Sequence, residues 1–337
     1  MNDIIKIDSN VANDFLRIEL FLSNMCNFKC WYCYPGSNEG THHWPKLESI
    51  VENLSYLLDY YKKHAGKKKF LLHIIGGEPT LWKDLGEFVK HFKTTYDCTI
   101  SISTNGSRTI RWWKEYAEYF DHIMVSCHHE QIDVEHTITV CDLLYDKKVN
   151  FTAMVLMDPF AWDKCIGIVE HLKTSKHRWC IDALEVLHST IKYTPEQKEY
   201  ISSSLKRYPN VFWWLKTTKR YKSIKKTTVY FDNSKSKNVP TNWLTLNKFN
   251  HFFGWECNIG VDTFFINKIG HLTGACGQLL YGQDFYYNIF DKDFSEKFKP
   301  KIQPVICSKT DCLCQPEVNT SKHRIVSSKK IIPIALL

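Results

Sequence analysis

Three cysteines, Cys26, Cys30 and Cys33, fall within eight positions in the stretch SNMCNFKCWYCYPG, spaced C-x3-C-x2-C, and no fourth cysteine or histidine follows closely. Thiolates so clustered are metal ligands. A structural zinc ion completes a tetrahedron with four ligands, usually from two C-x2-C pairs, and the stretch lacks the second pair. A 4Fe-4S cluster takes one thiolate per iron, so three thiolates would leave one iron open to an outside ligand. Both metals stay open on spacing alone. Cys98, Cys141, Cys165 and Cys180 lie instead within apolar patterns and read as ordinary buried thiols.

The chain that must position this loop has 337 residues, 44% apolar and 24% charged, enough for one large core and a smaller one. Its first residues, MNDIIKIDSN, are acidic where a secretory signal would be basic, and no apolar run approaches the ~20 residues that cross a bilayer. The expectation is a cytoplasmic protein away from the membrane, in a compartment where thirteen cysteines serve metals better than disulfides.

Strand-like alternation precedes the cysteines in LRIELFLSN (16–24), and helical spacing follows in LESIVENLSYLLDYYKK (47–63). Apolar runs recur at 69–77, 98–104, 122–128, 149–157 and 180–188, each separated by an amphipathic segment. Six βα units in succession imply a parallel sheet with helices outside it, and chemistry at the carboxyl ends of the strands. The cysteines follow the first strand, Gly76, Gly77, Glu78 and Pro79 end the second, and Ser103, Thr104 and Asn105 end the third. Paired glycines admit close backbone approach and a carboxylate can accept hydrogen bonds from an ammonium group, although a tight βα turn also uses such glycines.

With Tyr32 as the aromatic before the third cysteine, the triad resembles the radical S-adenosylmethionine (radical SAM) superfamily pattern C-x3-C-x-aromatic-C. The resemblance selects a partial (β/α)6 TIM-like barrel over a doubly wound sheet. It implies a 4Fe-4S cluster on Cys26, Cys30 and Cys33, and S-adenosylmethionine held by Tyr32, Gly76, Gly77, Glu78, Pro79, Ser103, Asn105 and Ser126, with GGEP at the methionyl amino group. An external one-electron donor of the flavodoxin or ferredoxin type is implied as well. Among the remaining strand-end groups, His73, His128, His129 and Asp182 are polar candidates. Glu185 and His188, at the end of the sixth strand, are the candidate catalytic residues, Glu185 because alternation puts Ile181, Ala183, Glu185 and Leu187 on one face, expected to line the barrel interior.

Beyond residue 190, TPEQKEYISSSLKRY reads as a helix with Thr194 as N-cap, Pro195 first and Glu196 in its first turn. The basic, aromatic segment VFWWLKTTKRYKSIKKTTVYF (211–231) suits a nucleic-acid strand or an acidic peptide, or equally a solvated edge strand, and the net charge of +8 leans toward an anionic partner. Cys257 and Cys276 flank an expected hairpin, with strand 262–266 and turn 267–270, and ICSKTDCLC supplies Cys307, Cys312 and Cys314. This part resembles the twitch and SPASM auxiliary-cluster domains and implies one further 4Fe-4S cluster, with zinc as the alternative and one of Cys307, Cys312 and Cys314 spare.

The expected division is a barrel over 1–192, a helical, basic bridge over 193–245 and a cysteine-rich auxiliary-cluster domain over 246–337. The expected activity is radical oxidation or cross-linking of a peptide or small polar metabolite. The alternatives are radical modification or isomerisation of a nucleotide or nucleic acid, and a non-catalytic iron-sulfur or zinc protein.

Overall fold

Alternation through FLRIELF makes a strand with one apolar and one charged face. Leu16, Ile18 and Leu20 are fully buried on the first, and Arg17 and Glu19 pair with each other on the second. A computed structural model describes residues 3–9, 13–177, 179–186, 191–207, 227–239, 243–274, 276–312, 318 and 320–325. After a short strand β1 (Ile4–Asp8), six strands run parallel in chain order: β2 (Phe15–Phe21), β3 (Lys69–Ile75), β4 (Cys98–Thr104), β5 (His122–Cys127), β6 (Phe151–Met157) and β7 (Ile181–Glu185). Each is followed by a helix, α1 (Leu47–Ala65), α2 (Leu85–Thr95), α3 (Ile110–Tyr116), α4 (Val134–Asp146), α5 (Trp162–Leu172) and α6 (Pro195–Arg207). This is the expected partial (β/α)6 barrel.

The helices cover one face of the sheet. On α1, Ile50, Leu54, Leu57, Leu58 and Tyr61 recur at helical spacing and pack with Leu16, Ile18 and Leu20 in one apolar cluster. The Thr194 cap forms as expected, reciprocally: Thr194 Oγ1 accepts from Gln197 N at 3.3 Å, and Thr194 N donates to Gln197 Oε1 at 3.0 Å.

The hairpin β11 (Thr263–Ile266) and β12 (Leu272–Thr273) turns through Asn267 and Gly270, as the sequence suggests. It does not stand apart, because β11 pairs in parallel with β2 and so extends the barrel sheet. A second sheet is antiparallel, in the order β13 (Val305–Ile306), β10 (Trp255–Cys257), β14 (Lys322–Arg324), β1, β8 (Thr227–Phe231), β9 (Ser236–Val239).

The strands therefore cross the expected domain boundaries. β1 joins the second sheet between β14 and β8, and α6 completes the sixth βα unit, so a boundary at 192 cuts that unit. Lone edge strands leave backbone groups unpaired, and those edges are satisfied here by segments distant in sequence. Among the described residues no helix is long and apolar enough to cross a membrane. The basic cluster at Lys216, Lys219, Arg220, Lys222, Lys225 and Lys226 lies outside the described residues.

Lys67, 3% exposed, ties the α1–β3 turn to the start of β11: its Nζ meets Asp262 Oδ1 at 2.7 Å and Asn13 O at 2.9 Å. Removing one partner of a buried pair strands the other charge, which typically costs ~3 kcal/mol or more. Lys67→Met should lower the unfolding free energy by about 2–3 kcal/mol in urea titration, the lower end because Asp262 stays partly in contact with solvent and keeps Asn258 Nδ2 at 2.6 Å. An unchanged midpoint would show that the pair contributes nothing.

Candidate active site

The three clustered cysteines sit in the loop that leaves β2. Asn24, fully buried, holds this loop in shape: its Nδ2 donates to Gly36 O and Thr41 Oγ1 at 3.0 and 2.9 Å, and its Oδ1 accepts from His42 N at 2.8 Å. Gly77 closes against the same loop, since Glu78 N donates to Met25 O and a Cβ on Gly77 would stand 2.1 Å from that oxygen. Gly76, at φ +91°, sits so close to Phe21 that an added Cβ would stand 1.7 Å from its ring. The paired glycines are thus required first by close approach to the chain itself.

One cavity of about 120 Å3 is lined by Cys26, Cys30 and Cys33 together with Gly76, Gly77, Glu78, Ser103, Asn105 and Ser126. Nine of the residues expected at a cluster and its cofactor are brought to one wall. Phe28, Asn38, Thr104 and His128 complete it.

Tyr32 and Pro79 stand behind that wall, not on it. Tyr32 is 5% exposed, stacks on His128 and His129, and its hydroxyl meets His128 Nδ1 at 3.2 Å. Pro79 opens a single 3-10 turn, 79–81, capped by Glu78. Burial, above all, pushes all three thiols up, Cys30 to about 12 with the neighbouring Glu130 adding to the effect. Such thiols ionise only with a cation at hand, which is what a metal centre supplies.

Glu78 differs from the expectation in its partners. Its Oε1 accepts from Thr80 N, Thr80 Oγ1 and Thr104 Oγ1 at 3.0, 2.5 and 2.7 Å, and its Oε2 accepts from Asn105 N at 2.5 Å. Burial pushes its pKa up while these bonds pull it back, Thr104 most. The carboxylate is therefore first a clasp between the ends of β3 and β4. Oε2, with one donor, retains capacity for an ammonium group.

Glu185 lies on the opposite face from the one expected. Alternation along β7 holds, but Ile181 and Ala183 pack in the helix-side core, and Glu185 registers with the fully buried Met157 of that same side. The barrel lumen receives the alternate set, including Asp182, which registers with Met154. Helices cover the apolar face of a parallel sheet, so the polar face is left for the lumen. His188 lies outside the described residues.

The lumen holds a network that motif reading missed. Arg17 Nε and Nη2 both meet Glu19 Oε1 at 2.8 Å, Glu19 Oε2 is 3.9 Å from His73 Nε2, and His73 Nδ1 meets Ser101 Oγ at 2.7 Å. Burial pushes the His73 imidazole down, toward the neutral form, against the pull of Glu19. Two charged residues alternating with apolar ones in LRIEL were the available sign.

A second cavity is lined by Cys257, Cys276, Cys307 and Cys312, with Phe252, Gln278 and Lys322 among its other residues. Thiols from the entry and exit of the hairpin and from the later loop thus share one wall, and Cys314 lies outside the described residues. Among the described residues no three His, Cys, Asp or Glu side chains converge as the ligands of one metal ion. Both cysteine sets line cavities, but the second, at about 20 Å3, is much the smaller, so a cluster there would have to part the thiols.

Residues 20–172, from the end of β2 through α5, match the model of the Radical SAM superfamily. The match covers 153 of the 337 residues. The probable GTP 3',8-cyclase of Thermococcus kodakarensis is 31% identical over 163 residues, covering 44% of this chain and 51% of that protein. The chain thus spans about half the length of that curated relative. Among solved structures, histidine-tagged anSMEcpe with bound AdoMet aligns over 85% of this chain and 81% of its own at 16% identity and a TM-score of 0.50. Streptococcus suis SuiB aligns over 86% and 66% at 14% identity and the same TM-score. These likenesses in fold extend beyond residues 20–172.

Two outcomes follow from the wall of the first cavity. Glu78→Gln replaces an acceptor by a donor facing N–H and O–H groups, and should destabilise the metal-free protein by about 1–3 kcal/mol in urea titration. Burial also holds the His128 imidazole down at about 4, helped by the charge of His129. The unfolded chain, with histidine near 6.5, then binds more protons than the folded one below that pH. Stability of the metal-free protein should fall as pH drops from about 6.5 toward 4, and His128→Asn should flatten that limb. An identical pH profile in the variant would remove His128 as its cause.

Proposed function

We propose that the chain is a radical S-adenosylmethionine enzyme that oxidises or cross-links a peptide or small polar metabolite. The observation that carries this reading is the first cavity, where three thiols, the paired glycines, a carboxylate and the polar ends of β4 and β5 line one wall. Cys26, Cys30 and Cys33 would hold a 4Fe-4S cluster. When bound, it supplies one electron that splits S-adenosylmethionine into methionine and a 5'-deoxyadenosyl radical able to take a hydrogen atom from carbon.

The chain's own part is to bind, aim and exclude water. Backbone groups at Gly76 and Gly77 and the free capacity of Glu78 Oε2 suit the methionyl amino group, and Ser103, Asn105 and Ser126 suit its carboxylate and ribose. Beneath them, Glu19, His73 and Ser101 give the lumen a polar wall for the substrate. Cys257, Cys276, Cys307 and Cys312 would hold a second 4Fe-4S cluster, able to accept one electron. A substrate that gives up one hydrogen atom, one electron and one proton to solvent has undergone a two-electron oxidation, which is why oxidation is the leading reading.

A second reading follows from the curated relative's name: radical modification of a nucleotide, with GTP the compound to test. Its support is confined to a match over less than half of this chain.

Anaerobically reconstituted protein should form 5'-deoxyadenosine from S-adenosylmethionine and dithionite, and Cys30→Ala should abolish this. It should contain about eight irons, with about four left when Cys26, Cys30 and Cys33 are all replaced by alanine, on one thiolate per iron. Cleavage untouched by Cys30→Ala would overturn the assignment, and an iron-free but metal-containing triple variant would make the second site zinc. Consumption of GTP in the same assay would decide for the nucleotide.

A further inference from the structure

The two cavities carry opposite fixed charges. Beside the first, Glu130 Oε2 accepts from the backbone N of Trp31 at 3.3 Å, which places its carboxylate next to Cys30, and the thiol is a hydrogen-bond partner of the same side chain. Glu78, 1% exposed, stands on the cavity wall. Like Glu130, the nearby cations lie off the wall, and the charge of Lys29 acts on Cys26 against that of Glu78 but more weakly. Lys29 donates to Asn38 O at 2.6 Å and Lys268 to Gly36 O at 2.7 Å, both to loop carbonyls.

On the wall of the second cavity, among the described residues, the only formal charge apart from ionised thiols is a cation. Lys322 is 3% exposed, its Nζ donates to Val318 O at 3.2 Å and lies 4.2 Å from the centre of the Phe252 ring. The carboxylates closest along the chain to the lining residues are engaged elsewhere. Asp311 meets His251 at 2.8 Å and Glu256 lies 3.6 Å from His323, all four being exposed side chains.

Glu78 and Lys322 are buried and so little screened, Glu130 is half-buried but in direct contact with the Cys30 thiol, and exposed charges are largely cancelled by solvent. The reduction potential of an iron-sulfur cluster follows net charge, hydrogen bonds to sulfur and solvent exposure. Ligand count alone would make the second site the harder to reduce, because four thiolates bring one more negative charge than three. The fixed charges run the other way.

We propose that Glu130, with Glu78, lowers the potential of the first site and Lys322 raises that of the second, so that the first is the stronger reductant and the second the readier acceptor. This rests on the reading of both cavities as 4Fe-4S sites.

The test is an electron-paramagnetic-resonance redox titration of the full reconstituted chain, with iron content measured in every sample. The signal that Cys30→Ala removes belongs to the first site. In the unaltered protein the other signal should be reduced first, at the higher potential, and the reverse order overturns the proposal without any variant. Glu130→Gln should move the first signal to higher potential and leave the second in place. Lys322→Met should move the second to lower potential, and Lys322→Arg, which keeps the charge, should restore it. About eight irons with both signals unmoved would overturn the charge assignment alone. A single signal with about four irons would overturn the two-cluster reading itself, and the role of Lys322 with it.

Discussion

A carboxylate taken fully out of water keeps its charge only where donors surround it, and Glu78 is such a group. Thr80 and Thr104 and the backbone of Asn105 converge on it from two strand ends. Because Glu78 N is also bonded to Met25 O, the same residue fixes the cysteine loop leaving β2. Three consecutive βα junctions are thereby set at mutually fixed positions, and the cavity is the space that remains among them. Disturbing the clasp would shift the thiols, the glycine pair and Asn105 together.

The parts of the site legible in the sequence were those whose meaning is local. Cys26, Cys30 and Cys33, Gly76–Glu78 and Ser103–Asn105 close or soon follow their strands, so strand order alone brings them to one end of the sheet. Glu185 shows the limit of this reasoning. Alternation separates two faces but does not say which one the helices take, and that is decided by how Met157, Ile181 and Ala183 pack. Asp182, one position away from Ile181 and Ala183, is the residue that alternation actually turns toward the lumen. The second sheet was beyond reach for another reason. β1 is five residues long and its partners, 227–231 and 322–324, are more than two hundred residues away, so nothing near it in sequence marks it as a strand of that sheet.

The hairpin β11–β12 is what makes the two cysteine sets parts of one structure. It adds to the free edge of β2, and its turn residue Lys268 reaches back to Gly36 in the first cysteine loop. Its entry and exit carry Cys257 and Cys276, which face the second cavity. Asn53 on α1 adds a further tie, donating to Ile289 O and Asp291 O at 2.8 and 2.9 Å from a buried position. A segment that composition sets apart is in fact built into the barrel's edge.

That construction constrains the chemistry as well as the fold. The lumen face of β11, with Phe265 registering against Glu19, continues the polar wall of Arg17, Glu19 and His73 toward the hairpin whose flanking cysteines face the second cavity. Phe265 also meets Phe21, and Phe21 underlies Gly76. A molecule occupying the lumen would therefore touch strands paired, through β2 and β11, with the elements that carry both cysteine sets. Under the oxidative reading, hydrogen removal and electron removal would act on one substrate held still, with selectivity residing in the side chains of this shared wall. Under the same reading the two cysteine sets would set the chemistry of each cavity, while Arg17, Glu19, His73, Ser101 and Phe265 are where differences in substrate would have to be written.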